Sequence, residues 1–281
     1  MPELPEVETV RRGLNQVTLN QIIMGGDVLL SRSVAHPLSF ADFLAGVTGT
    51  AIAHWHRRGK YLFAEIQRDA QPAGWLGVHL RMTGQLLWLA QSAPLQPHTR
   101  ARLFFPNQQE LRFVDMRTFG RLWWVPPSNA PADIITGLQK LGPEPFSPEF
   151  SWQYLQQCLQ HRKRPIKNAL LDQALVAGVG NIYADEALFL SGIRPTTLCN
   201  QLRPKQIKQL HQQLIHVLET SIQAGGTSFS NFLDVQGING NYGGISLVYN
   251  REGQPCRTCN TPIQRLKLGG RSAHFCPTCQ R

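Results

Sequence analysis

The chain begins Met1-Pro2-Glu3-Leu4-Pro5-Glu6-Val7-Glu8. A small residue after Met1 favours removal of the methionine, which exposes the secondary amine of Pro2. With an α-amino pKa near 7.7–8.0, roughly a tenth to a sixth of that amine is unprotonated at pH 7. Such an amine attacks an aldehyde-like carbon and forms an iminium, as catalytic lysines do in Schiff-base chemistry. Glu3 adjoins it, and Glu6 lies one helical turn further on. Two carboxylates beside an amine can hold it, shuttle its proton and stabilise a positive intermediate. The same acids also suit a helix N-terminus, whose dipole they complement. Taken alone, that structural reading is the stronger.

A second constellation lies at the other end. Cys256-x-x-Cys259 is followed, after sixteen residues, by Cys276-x-x-Cys279. This is zinc-ribbon spacing, and four thiolates leave zinc no open position. The metal they predict is therefore structural, which excludes a zinc hydrolase; a redox CxxC pair or coincidence are the minor competitors. Between the pairs, Ile263–Leu268 and Ser272–Phe275 flank Gly269-Gly270, a two-residue turn suited to a β-hairpin. From Asn250 onward there are six Lys+Arg and one Glu, a net of +5, and Arg271 directly follows the turn. An arginine there can reach a groove or a phosphate, or can be merely solvated. Cys158 and Cys199 fall outside the pattern and read as buried thiols.

The middle of the chain interleaves cations with side chains able to act as wedges. Arg57-Arg58-Gly59-Lys60 opens a strand, His79-Leu80-Arg81-Met82-Thr83-Gly84 sits at a strand turn, and Asp115-Met116-Arg117-Thr118-Phe119-Gly120 ends another. Met, Arg and Phe on turns are the groups that enter a base stack when a nucleotide is extruded. Core packing is the plainer account of Met82 and Phe119. Gly178-Val179-Gly180-Asn181 leads into a helix and can offer backbone amides to an anion such as a phosphate. Arg162, Lys163, Arg164 and Lys167 lie upstream of it.

These groups need elements to position them. From Gln21 to Val125 short β-rich runs recur: Tyr61–Ile66, Trp75–Leu80, Gln85–Leu89, Arg102–Phe105, Leu111–Val114 and Arg121–Val125. Such runs predict an antiparallel sandwich or barrel. Ahead of them, Val7, Val10 and Leu14 recur at helical spacing, with Pro5 in the first turn. Pro126 to Glu149 holds six prolines and one short helical stretch, Asp133–Leu141. Helices are predicted over Trp152–His161, Lys167–Leu175, Ile182–Ser191 and Lys205–Gln223, the last stopped by Gly225-Gly226. The boundaries that follow are an N-terminal catalytic domain over 1–141, a linker over 142–150, a helical domain over 151–249 and a finger over 250–281. Within the helical domain, 226–244 forms a long functional loop.

The chain has 281 residues, 28 Lys+Arg against 18 Asp+Glu and a formal charge of +10. That surplus favours a polyanionic partner, nucleic acid before anionic membrane. No apolar run is long enough to span a bilayer, and the three glutamates within the first eight residues fit neither a signal nor a transit peptide. A cytoplasmic protein with reduced or metal-bound cysteines is expected.

With these motifs assembled, the sequence resembles the formamidopyrimidine-DNA glycosylase (Fpg/MutM) family from end to end. The likeness is carried by Pro2-Glu-Leu-Pro-Glu-Val-Glu8, Arg58-Gly-Lys60-Tyr-Leu, His79-Leu-Arg-Met82-Thr-Gly and Asp115-Met-Arg117-Thr-Phe119-Gly120. Leu141-Gly-Pro-Glu-Pro145, Gly178-Val-Gly-Asn181-Ile-Tyr-Ala184-Asp-Glu186 and the four-cysteine finger complete it. The resemblance implies an α+β multidomain fold: an N-terminal antiparallel β-sandwich flanked by helices, a helix–two-turn–helix domain and a C-terminal β-hairpin zinc finger. It implies a bifunctional enzyme that excises 8-oxoguanine and formamidopyrimidines from double-stranded DNA and acts as an abasic-site lyase. Pro2 would attack C1′ and form the iminium, Glu3 would serve as general acid and base, and Glu6 would orient the site. Lys60, Asn181 and Arg271, with Lys167 a fourth, would grip phosphates. Met82, Arg117 and Phe119 would fill the gap in the duplex, and β- and δ-elimination would cut the strand. The loop over 226–244 would cap the extruded base.

Two departures bear on these roles. Thr118 stands where many relatives carry a second arginine, which implies a lost phosphate contact, and the Ser230 loop lacks a basic residue common in the family. Two other readings compete. An endonuclease VIII-like glycosylase for oxidised pyrimidines shares the Pro2 chemistry but typically has glycine where Leu4 stands. A non-catalytic zinc-finger DNA-binding protein would need no Pro2, Glu3 or Glu6. Nothing resembling a coiled coil or a repeat argues against a monomer.

Overall fold

The computed structural model describes residues 1–227 and 234–281. Two compact units emerge, one of Met1–Gln139 with Ala224–Asn241, the other of Lys140–Gln223 with Tyr242–Arg281. By sequence, 226–244 belongs to the helical domain. Its described residues up to Asn241 pack instead with the first unit.

The first unit opens with helix α1 (Leu4–Val17), whose Val7, Val10 and Leu14 are buried. A capping box starts it, the Glu3 amide donating to Glu6 Oε2 at 2.8 Å. After β1 (Gly25–Val28) and β2 (Val34–His36) comes α2 (Phe40–Val47), capped by Ser39, whose hydroxyl accepts from the Asp42 amide. In sequence this helix is submerged in a β-rich stretch. Seven strands follow: β3 (Ala51–Arg58), β4 (Tyr61–Arg68), β5 (Gln71–His79), β6 (Gly84–Ala90), β7 (Thr99–Phe105), β8 (Gln109–Asp115) and β9 (Arg121–Val125). With β1 and β2 they form a four-stranded sheet ordered β1-β7-β8-β6 and a five-stranded sheet ordered β2-β9-β5-β4-β3.

Alternation explains the layers. Leu62, Ala64 and Ile66 of β4 and Ala101, Leu103 and Phe105 of β7 turn inward and share one core with Val10, Leu14 and Trp55. Pairing is antiparallel except between β2 and β9, which run parallel. Their separation in sequence leaves room for the crossover that parallel pairing requires. The stretch expected as one helix at 133–141 is α3 (Pro131–Ile134) followed by a 3-10 turn over Thr136–Lys140.

The second unit is helical: α4 (Trp152–Leu159), α5 (Ile166–Leu170), α6 (Asn181–Leu190), α7 (Pro204–Gln223) and α8 (Tyr242–Ile245). Helix α5 ends at Leu170 rather than 175 because Asp172 turns its side chain back on the main chain. Its carboxylate accepts from the Ala174 amide at 3.1 Å and is held by Arg164 at 2.7 Å, a local alternative to the helical ladder. The hairpin β10 (Gln264–Leu268) and β11 (Arg271–Phe275) closes the chain, Leu268 pairing with Arg271 across the Gly269-Gly270 turn.

Candidate active site

Pro2 is buried at the foot of α1, with Glu3 and Glu6 only 2% and 1% exposed. The Glu6 carboxylate bridges two backbone amides, accepting from Glu3 at 2.8 Å through Oε2 and from Thr227 at 2.9 Å through Oε1. Pro2, Glu3 and Glu6 are thus held together at one helical start. Glu8 is occupied differently. Burial pushes its carboxyl up, but hydrogen bonds and charge from Arg11, Arg12 and Arg57 outweigh this and hold it down to about 2.

Lys60 sits in a two-residue hairpin turn between β3 and β4, after Gly59 at φ 56, and is largely buried. Beside it His79 ends β5. Burial, with the charges of Arg81 and Lys60, pushes its imidazole down to about 3. The Arg81 amide donates to His79 Nδ1 at 3.0 Å, which leaves Nε2 as the protonated nitrogen. Its motif was visible in the sequence, but no role was assigned to it. The signal is a histidine at a strand end beside a lysine turn.

The turn of Met82 and the turn of Arg117 and Phe119 are pinned together by Asp115 and Thr83, which the sequence motifs contain but give no role. Asp115 is 1% exposed; its carboxylate accepts from the Thr83 hydroxyl at 2.5 Å and from the Gly120 amide at 2.7 Å. Thr83 in turn accepts from the Arg117 amide at 3.0 Å. This network brings the Met82 turn against the turn of Arg117 and Phe119. Met82 and Phe119 are 38% and 47% exposed, so core packing does not account for them. The Arg117 guanidinium lies 5.0 Å from the centroid of the Phe119 ring. Each turn holds a non-glycine residue left-handed, Arg81 at φ 53 and Thr118 at φ 58, a strain that persists where surrounding bonds over-determine the backbone. Next to Thr118, where an arginine contact was expected to be lost, the guanidinium of Arg32 reaches in and donates to the Thr118 hydroxyl at 2.6 Å.

In the second unit, Asn181 begins α6 behind the Gly178–Gly180 turn, and its Nδ2 lies 3.4 Å from Ser272 Oγ on β11. Arg271, the residue before Ser272, is exposed. Lys167 requires a correction. It is fully buried, its ammonium 2.6 Å from Asp185 Oδ1 and donating to the Ser272 carbonyl. An ammonium so enclosed has no face for a phosphate. Asp185 also accepts from the His274 amide at 2.9 Å, so Lys167, Asn181 and Asp185 together fasten β11 to α5 and α6. Glu186 does the same for the finger's root, accepting from the amides of Leu247, Val248 and Tyr249 at 2.7–2.9 Å. Burial raises the Glu186 carboxyl pKa against the pull of those amides.

The sulfurs of Cys256, Cys259, Cys276 and Cys279 all lie within 4.8 Å of one another. Cys256 and Cys279 are 3.9 Å apart, and Cys259 and Cys276 3.4 Å. Four Zn–S bonds of about 2.3 Å set tetrahedral edges of roughly 3.8 Å, so the cluster fits one structural zinc ion. Ser230 lies outside the described residues. Among those described, no helix is long and apolar enough to cross a membrane.

Three family models match in series. The N-terminal domain of formamidopyrimidine-DNA glycosylase covers residues 1–122, its H2TH domain 141–232, and the zinc finger found in FPG and IleRS 253–281. A formamidopyrimidine-DNA glycosylase of Nostoc sp. is 65% identical over the whole of both chains, and one of Trichodesmium erythraeum is 60% identical over the whole of both. Among solved structures, a mutant Lactococcus lactis FPG in complex with Fapy-dG-containing DNA superposes with a TM-score of 0.91, at 36% identity and full coverage of both chains. The L. lactis enzyme with abasic-site DNA gives 0.90, at 36% identity and 99% coverage of each. The chain belongs to the formamidopyrimidine-DNA glycosylase family.

Proposed function

We propose that the chain is a base-excision repair enzyme that removes 8-oxoguanine and formamidopyrimidines from double-stranded DNA and then cleaves the strand as an abasic-site lyase. The observation that carries this reading is the cluster at the start of α1: Pro2 buried beside Glu3, with Glu6 clamped by two amides. With Met1 removed, the Pro2 nitrogen attacks C1′, the base leaves, and an iminium joins enzyme to sugar. Glu3 accepts and returns the protons of ring opening and of β- and δ-elimination. Glu6 holds this start of the helix in register.

Lys60, Asn181 and Arg271 take phosphates, with the neutral His79 offering an N–H beside Lys60, and Arg32 supplying a cation near Thr118. Lys167 acts behind them, fixing the strand that presents Arg271. Met82, Arg117 and Phe119, exposed on turns pinned by Asp115, enter the space left by the extruded nucleotide. The zinc keeps the hairpin folded. Along the sequence the domains run 1–141, 142–150, 151–249 and 250–281, with the described residues of Ala224–Asn241 packed in the first unit, and the protein works as a cytoplasmic monomer associated with the nucleoid through DNA. Excision from matched 8-oxoguanine and thymine glycol duplexes tests the substrate, and faster thymine glycol removal favours the pyrimidine-specific alternative. Borohydride trapping on abasic DNA tests the chemistry; a processed protein that gives no adduct is a DNA binder only.

A further inference from the structure

The described residues of Ala224–Asn241, between the end of α7 and α8, pack with the first unit. Val235 lies in the sandwich core with Val10 and Leu14 and is 2% exposed. The Trp88 amide donates to its carbonyl at 2.8 Å, on the outer edge of β6. Its side chain fills the space beside Gly13 of α1, where an added Cβ would stand 2.5 Å from Val235 Cγ2.

The neck of the segment is equally tight. The Asn241 amide donates to the Ala224 carbonyl at 3.0 Å, and a Cβ on Gly240 would stand 2.3 Å from the Gly226 oxygen. Gly226, at φ +82, packs against Glu6, where a Cβ would stand 3.1 Å from Cγ. The next amide, Thr227, is the one that Glu6 accepts. Between these two anchors the chain turns back on itself, the Gln236 and Ile238 amides donating to the Asp234 carboxylate at 2.9 and 2.8 Å and the Asp234 amide to the Ile238 carbonyl at 2.9 Å. Five residues of backbone thus join Val235 to Gly240, whose close approach to Gly226 leads on to Glu6 and the Glu3 amide.

We propose that Val235 is a positioning residue for the reaction: seated between Gly13 and Trp88, it holds the neck of this segment so that the Thr227 amide fixes the Glu6 carboxylate beside Pro2 and Glu3. The inference rests on the proposed role of the Pro2 cluster. Small displacements of groups around a reacting atom lower rate far more than affinity, so the effect belongs in the chemical step.

The test uses the full-length zinc-loaded protein as Val235→Ala, Gly13→Ala and the double variant. Single-turnover adduct formation on abasic DNA at saturating enzyme is compared with the Kd for a tetrahydrofuran-containing duplex and with Tm. Each single change is expected to slow the chemical step about tenfold while Kd stays within about twofold. The double variant, whose methyl at position 13 refills space vacated at 235, should recover most of the rate, as coupled neighbours do. Single variants that match the parent rate overturn the proposal, as does a parallel loss of rate, affinity and Tm without recovery in the double variant. Failure of the unaltered protein to form an adduct would instead sink the functional reading beneath it.

Discussion

Two lysines of like charge are placed differently here. Lys60 sits in a turn beside His79, whereas Lys167 is sealed against Asp185 and the Ser272 carbonyl. Motif matching alone treats both as phosphate ligands; both are largely buried, but Lys167 is wholly enclosed and paired with the buried Asp185. Breaking a buried pair from one side costs about 3–5 kcal/mol, so Lys167→Met should lower unfolding free energy by that order. The slope of log K against log salt for DNA binding should stay unchanged. A slope smaller by about 0.9, one released counterion, would return Lys167 to the phosphate contacts. His79 provides a second residue-level test. Its folded pKa of about 3 lies below the ordinary 6.5, so its contribution to stability is complete above about 6.5. It is lost as pH falls from there toward 3. Glu8, held down to about 2 from 4.5, loses its contribution only below about 4.5. Between pH 7 and pH 5, denaturant unfolding should therefore show a loss of about 2 kcal/mol that His79→Gln abolishes. Parallel loss in parent and variant would assign it elsewhere.

At the scale of elements, periodicity was the legible part. Helix α1, helix α7 and the finger hairpin stand where hydrophobic spacing and glycine punctuation put them, because their signals are local. Helix α2 was hidden among strand-like runs, and α5 ends early through an Asp172 side-chain bond that spacing does not encode. The parallel β2–β9 pair joins segments far apart in the chain. The wedge turns show the same divide. Met82, Arg117 and Phe119 were readable as chemistry, but the Thr83–Asp115 link that sets them together spans 32 residues and is visible only in three dimensions. Thr83→Val removes a hydroxyl that donates to Asp115 and accepts from Arg117, which costs about 1–3 kcal/mol at a buried carboxylate. Affinity should fall for duplexes bearing an abasic site and stay nearly constant for undamaged DNA. Equal losses on both would mean that the network serves stability alone.

For the whole molecule, the charge of +10 pointed to a polyanion without naming one, because charge constrains association and not fold. The finger carries part of that charge on a hairpin whose four cysteines fit one structural zinc ion, and Lys167, Asn181 and Asp185 fasten it to the helices. Chelating the metal should therefore weaken DNA binding and melt the hairpin, as zinc-dependent modules do. It should leave the sandwich folded, because that core contains no ligand of the cluster. Circular dichroism and filter binding, read before and after zinc is restored, check both halves; intact affinity without metal would detach the finger from recognition. The covalent step itself is tested most directly by reducing the protein with borohydride on DNA containing one abasic site, then digesting the adduct for tandem mass spectrometry. The sugar remnant should lie on the nitrogen of Pro2 in a peptide that has lost Met1. A remnant on Lys60 or another lysine, with Met1 still in place in active protein, would contradict the account.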